Sequence, residues 1–456
     1  MSESSTTSPP AEDAPKTEYP PSESPVVEKL VPQPTITIPD GGLQAWLSVL
    51  GGFLICTTTF GYSNSFGVYQ DYYVLSGAST ASNISWIGSL QLFFMFAMGL
   101  PAGKLFDQGY FHHVVGFGSL LYVFCMFMLS LAHPAKYYQL ILSQGVGMGI
   151  GSGLMLVPAM SVQAHHWRTR RSLAMGIVMT GSGIGGLIYP IMLNRLVHGS
   201  AGFAWGVRAT AFLTLGLLTV ANAVMTTRLP SAKKRGPGQK PDAKAIMTDI
   251  PFLVLVLGLF LVLWGMFFPY FYLQLWVNLH GLSSTLGFYT IAILNAASIF
   301  GRTLPNMLAD RIGPFNVLAP IVVVTGALVF AMFGVTSTGA VIVFSILYGF
   351  FSGATISLMP PAVATLSKGV HEIGMRLGLA YFFTSIAMLT GTPIAGALYD
   401  EQGQWYKPII FSAVSRWRFF PRPVWVVRAL RHDLLFRFPR TAKAVFSVAW
   451  YSVLTD

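Results

Sequence analysis

"GIGSGLMLVPA" (149–159) and "GFFSGATISLMPPA" (349–362) are two versions of one segment, each with small residues first, then an apolar run, then proline and alanine. A second pair behaves the same way. "GKLFDQG" (103–109) and "NMLADRIG" (306–313) each place an aspartate and a glycine just after an apolar stretch. Two similar halves joined by a polar linker describe parallel repeats related by an axis along the membrane normal, an architecture that implies alternating access to a site between the halves.

The rest of the chain supports a membrane reading. Of its 456 residues, 53% are hydrophobic and 10% are charged, where a soluble domain carries roughly 25% charged residues. A bilayer core needs about 20 apolar residues per helix, because the segment must satisfy all its own backbone groups. Runs of that kind lie near residues 43–69, 81–103, 114–133, 138–164, 172–194 and 208–227, then near 251–278, 284–308, 315–335, 338–366 and 376–398. The expected fold is all-α and integral to the membrane, a bundle of six plus six helices with the twelfth span degenerate or missing. Its expected organisation is a disordered cytoplasmic tail (1–39), a first six-helix half (40–227), a cytoplasmic linker (228–250), a second half with five clear spans (251–411) and an atypical basic C-terminus (412–456). The tail is rich in Ser, Pro, Thr and Glu and lacks the apolar content to fold. It also lacks the basic start and apolar core of a signal peptide.

Orientation follows from the basic residues. With the N-terminus in the cytoplasm, the inner loops hold Lys104; Arg168, Arg170 and Arg171; Arg228, Lys233, Lys234, Arg235, Lys240 and Lys244; Arg311; and Lys368 and Arg376, whereas the outer loops hold Lys136, Arg195, Arg208 and Lys407. The net charge of +11 is spread between apolar runs without a basic helix or an aromatic RNA-reading motif, so no nucleic-acid partner is expected. Cys56 and Cys125, both in apolar runs, read as small buried hydrophobes. "GVGMGIGSG" (145–153) mimics a dinucleotide fingerprint, but without a preceding strand it reads as a helix-packing stripe.

The acidic, glycine-bearing loops resemble those of the major facilitator superfamily, best in "LADRIG" (308–313). Within it the chain resembles the monocarboxylate porter family, in its fungal branch. "PDGGLQAW" (39–46) is similar to that family's leading signature, and "WRTRRSLAMGIVMTG" (167–181) to the signature entering the fifth span, with Arg170 and Arg171 at its positions. The resemblance implies a segment 8 arginine that binds a substrate carboxylate, and Arg302 stands at that place. Animal members of the family carry an aspartate one turn earlier, where this chain has Ser298, and a segment 1 lysine, where it has Asn64. The resemblance also implies a conformational role for the loop residues Asp107, Asp310, Arg311, Gly313, Arg170 and Arg171.

The residues themselves carry a similar reading. A buried arginine in a span costs at least roughly 2.5–3.5 kcal/mol and faces a cavity or a partner. Asn295, Ser298, Arg302 and Asn306 recur at helical spacing as one polar stripe. A planar guanidinium holds a carboxylate in two parallel hydrogen bonds, which suits an anionic solute; the alternative is an arginine snorkelling toward the cytoplasmic face. Asn64 either faces the central cavity or bonds a neighbouring helix. "FFPYFYLQLW" (267–276), Tyr348 and Tyr381 either line a cavity for a ring-bearing substrate or pack and anchor the helices. Most histidines, including His165 and His166, fall near segment ends and read as solvated.

No glutamate occurs between residues 41 and 371, so coupling through a buried carboxylate has no support in the sequence. The pattern breaks after about Val414. "SRWRFFPRPVWVVRALRHDLLFRFPRTAK" (415–443) carries too many arginines to insert as an ordinary span, which reads as an altered reading frame, a retained intron or an amphipathic surface helix. The expected function is secondary transport of a small organic solute, a monocarboxylate, vitamin-like compound or secondary metabolite, with no cofactor or metal and with lipid around it. The expected location is the plasma membrane. A non-transporting sensor or scaffold, or an inactive truncated transporter, is the alternative; no paired carboxylates, nucleophile elbow or metal cluster suggests an enzyme.

Overall fold

Threonines 57–59 show how local chemistry shapes this bundle. In the computed structural model their hydroxyls donate back to the carbonyls of Phe53, Leu54 and Ile55, at 2.8, 3.0 and 2.6 Å. Such back-bonding competes with the helical ladder and bends it, and here the first span widens into a π segment over Thr57–Gly61. The structure describes residues 38, 40–228, 242–399 and 405–417. The tail, most of the linker and the arginine-rich C-terminus lie outside them.

Among the described residues, besides a short helix at Ala243–Met247, twelve longer helical segments follow in order: α1 Leu43–Leu75, α2 Asn83–Asp107, α3 Phe111–Leu131, α4 Tyr137–His166, α5 Arg171–Val197 and α6 Gly202–Val224, then α7 Ile250–Leu279, α8 Ser284–Ile312, α9 Pro314–Gly334, α10 Thr338–Thr365, α11 Val370–Leu398 and α12 Tyr406–Trp417. Among the described residues, ten are long and apolar enough to cross a membrane. The remaining expected span, near 284–308, is the helix α8, which has the length and carries Thr290, Asn295, Ser298, Arg302, Asn306 and Asp310 along it. The twelfth helix does begin, at Tyr406, and packs on α9 and α7.

The packing repeats from one six-helix set to the other. In the first set α1 lies on α5 and α6, α3 on α6 and α4, and α2 on α4; α7 on α11 and α12, α9 on α12 and α10, and α8 on α10 reproduce each of these. Between the sets the main contacts are α2 with α11 and α5 with α8. The chain is thus an all-helical bundle of two parallel repeats, as its paired motifs imply.

Small residues set the spacing. The stripe of residues 145–153 packs as expected: a Cβ on Gly151 would lie 2.8 Å from the backbone nitrogen of Tyr122, and one on Gly153 would lie 2.6 Å from the Phe94 carbonyl oxygen. The tightest seam joins α8 to α10, where a Cβ on Gly301 would sit 1.9 Å from the Phe350 carbonyl oxygen. The atoms of Phe350 that it would meet all belong to backbone, so no side chain can rotate away. Gly301→Ala is therefore expected to cost about 1–3 kcal/mol of stability, read as a lower Tm of the purified protein in detergent; an unchanged Tm would contradict this account of the seam.

Candidate functional site

Arg302 stands in the middle of α8, 1% exposed. Its Nη1 donates to Ser298 Oγ at 2.7 Å, and that hydroxyl donates to the Asn295 carbonyl at 2.7 Å. One turn on, Asn306 Nδ2 donates to the Arg302 carbonyl at 2.8 Å and to Ser357 Oγ of α10 at 2.7 Å. The polar stripe is thus a bonded ladder pressed against α5 and α10. Among the described residues no acid pairs with Arg302, and its Nε is buried without a hydrogen-bond partner.

Glycines of α5 admit this stripe. A Cβ on Gly183 would lie 2.7 Å from Arg302 Nη1, and one on Gly186 would lie 2.6 Å from Asn64 Nδ2 and 2.9 Å from Asn295 Oδ1. Asn64 and Asn295 therefore flank the same glycine from α1 and α8. Arg302 also has Cys56 and Tyr270 as electrostatic neighbours. Cys56 packs on Met179 at 4.0 Å between sulfurs, and the Tyr270 ring lies 5.8 Å from that of Phe267.

Met179 and Phe267 belong to a cavity wall. Phe60, Phe96, Leu156, Met359 and Tyr381 complete most of it, so helices α1, α2, α4, α5, α7, α10 and α11 all contribute. The cavity measures about 10 Å³, on the scale of one water molecule. Tyr381, one of the two tyrosines singled out in the sequence, is part of this wall. Tyr348 does not line this cavity: its hydroxyl donates to the Met266 carbonyl at 2.6 Å, at the interruption of α7. The apolar wall was not legible in the sequence, because a cavity-facing Met or Leu has the same spacing as a core one.

At one end of the bundle the two repeats grip each other through carboxylates. Asp310, from the end of α8, accepts from the Ser172 and Leu173 N–H groups at 2.8 and 2.9 Å. Asp107, from the end of α2, accepts from Gly374 and Met375 at 3.1 and 2.6 Å. Each thereby caps the start of a helix in the other repeat, where N–H groups lack intrahelical partners and the helix dipole is positive. Just after each of these aspartates the chain turns on a glycine with positive φ, Gly109 at 90° and Gly313 at 93°. Arg171 is the charge neighbour of Asp310, whereas Arg170 and Arg311 are exposed.

The leading stretch joins this end too. Asp40 accepts from the Arg168 and Thr169 N–H groups at 2.9 and 3.0 Å and from the Thr169 hydroxyl, while Trp46 meets Trp167 edge-on at 5.1 Å. The two signature stretches thus touch one another. His165 and His166, expected to be solvated, are 1% and 0% exposed; His166 Nε2 lies 2.9 Å from the Thr226 carbonyl oxygen and His165 Nδ1 3.1 Å from Thr227 Oγ1. The segment leaving α6 covers them on one side, while Phe106 of α2 stacks on His165 and Ser48 of α1 meets His166.

The chain resembles known transporters. The Major Facilitator Superfamily model matches residues 43–339 and 304–415. The aspyridones efflux protein of Emericella nidulans is 43% identical over 383 residues, covering 82% of this chain and 76% of that one. The agnestins efflux protein of Paecilomyces divaricatus is 39% identical over 362 residues, covering 79% and 82%. Among solved structures, a Major Facilitator Superfamily transporter, FucP, in the outward conformation matches with a TM-score of 0.65 at 15% identity, covering 84% of this chain and 98% of that one.

Asp40 supplies a pH test. Burial alone would raise its pKa, and the bonds from Thr169 and from the Arg168 and Thr169 amides outweigh that, holding the carboxyl below its ordinary 3.8. A depressed carboxylate stabilises the fold above its unfolded pKa, and that contribution is lost as pH falls through the folded value. Asp40→Asn is therefore expected to lower Tm at about pH 7, with the gap to wild type closing as pH drops below 3.8. A gap that persists in acid would contradict this role.

Proposed function

The chain belongs to the Major Facilitator Superfamily, and from that membership we propose that it exports a secondary metabolite with an aromatic or apolar body and one anionic group. It is a multi-pass membrane protein and a secondary transporter of a small organic solute. The names of its fungal relatives support export as the direction. The charge of the inner loops supports a cytoplasmic N-terminus, and the plasma membrane is the fitting location. Placement among monocarboxylate porters rests on residues 39–46 and 167–181.

One observation carries the substrate reading. Arg302 is buried with no acid paired to it among the described residues, and Cys56, one of its electrostatic neighbours, packs on Met179 of an apolar, aromatic cavity wall. A desolvated guanidinium is costly unless something satisfies it, and an anionic solute fits its planar pair of donors. The wall of Phe60, Phe96, Phe267 and Tyr381 takes the ring system. Asn64, Asn295 and Ser298 hold the polar stripe in register, while Tyr348 supports the α7 interruption.

At about 10 Å³ the cavity admits no metabolite, since solute pockets run to roughly 300 Å³ and more. Loading therefore requires the repeats to part.

Flux of a labelled aromatic weak acid in vesicles tests the reading. Arg302→Ala is expected to lower kcat/KM at least about 10-fold, as loss of a charge-assisted hydrogen-bond pair implies, and Arg302→Lys to recover part of it. A neutral isostere should be insensitive to both. Equal flux of acid and isostere in wild type and Arg302→Ala would remove Arg302 from the site.

A further inference from the structure

Each repeat holds the start of its fifth helix with an aspartate that stands directly before its first. Ahead of α1, Asp40 clamps the residues leading into α5 through the Arg168 and Thr169 amides and the Thr169 hydroxyl. Ahead of α7, Asp249 pairs with Arg376 at 2.7 Å, in the first turns of α11. Arg376 is 1% exposed, bonded also to Glu372 at 3.3 Å, with its guanidinium 5.3 Å from the centre of the Phe252 ring. The two anchors differ in chemistry, one on backbone and one on a guanidinium. They occupy equivalent places in the repeat.

In both cases the anchored helix start is the one that receives a carboxylate from the other repeat. Asp310 lands on Ser172 and Leu173, directly beyond the stretch that Asp40 holds. Asp107 lands on Gly374 and Met375, directly before the Arg376 that Asp249 holds. A carboxylate needs two N–H groups aimed at it together, and ordering a loose helix start at that moment would consume much of the bond's value. We propose that Asp40 and Asp249 are positioning residues of the gate between the repeats: each bonds within its own repeat and presents a cradle, Asp40 for Asp310 and Asp249 for Asp107.

This predicts selective pairing. Loss of an anchor should matter only while its own latch is present, because the anchor acts through that latch. A residue that merely stabilised its repeat would show no such preference. The proposal rests on the alternating-access reading, but its test needs neither substrate nor flux, so the substrate reading and this one fail independently.

The experiment uses the full chain with Cys56→Ala and Cys125→Ala and with spin labels on Lys104→Cys and Lys368→Cys, both exposed and on opposite sides of the α2–α11 seam. Pulsed electron spin resonance gives the ratio of separated to closed molecules. Asp40→Asn is expected to raise that ratio about tenfold, a magnitude typical of charge-assisted bonds, to do the same in an Asp107→Asn background, and to change it less than about twofold in an Asp310→Asn background. Asp249→Asn is expected to show the mirror pattern, sensitive to Asp107→Asn and indifferent to Asp310→Asn. Thr169→Val, which removes only the hydroxyl bond to Asp40, should give a smaller shift with the same pattern and serves if Asp40→Asn does not fold. Equal shifts in both latch backgrounds, or no shift in any of them, would overturn the proposal.

Discussion

A carboxylate set against the free N–H groups of a helix start is the interaction on which this structure turns. Asp107 and Asp310 each make it across the seam between the repeats, with two backbone bonds apiece. Such a bond suits a gate. It is charge-assisted and strengthened by the helix dipole, yet it involves one side chain and breaks without unfolding either partner. Two weak-point latches of equal design also explain why the repeats share a loop motif: the same acid and the same left-handed glycine are needed twice.

Behind that closure the centre is nearly filled. A wall of Phe, Met, Leu and Tyr side chains from seven helices encloses a cavity of about 10 Å³, and Arg302 is buried in α8 with Cys56, a neighbour of the wall residue Met179, as an electrostatic neighbour. Holding a guanidinium there is expensive in hydrocarbon. Ser298, the Asn306 ladder and the α5 glycines fix its position. The proposed function links these facts: an anion completes the arginine, and opening the latches gives the anion room.

Much of this was legible from residues alone. Helix count and repeat symmetry follow from hydrocarbon thickness and paired motifs, and Asp107 and Asp310 announced themselves as acids beside glycines after apolar runs. The polar spacing of 295, 298, 302 and 306 placed one stripe on one face of α8. Other features were hidden for physical reasons. α8 carries polar residues along its length, and Asn295, Ser298, Arg302 and Asn306 are buried against protein. Cavity-lining Leu156 and Met179 have the period of any core residue. His165 and His166 look interfacial from their place in the chain, and distant partners bury them: Phe106 and Thr227 for His165, Ser48 and Thr226 for His166. Arg376 reads as one more inner-loop charge, since its partners lie four and 127 residues away.

The central claim, that solute moves only when this seam opens, has a direct test in a disulfide across one latch. With Ser172→Cys and Asp310→Cys, oxidation would tie α5 to α8 where Asp310 now meets the Ser172 amide. The account expects flux in vesicles to stop on oxidation and return on reduction. Undiminished flux with the bond shown to be formed would contradict it.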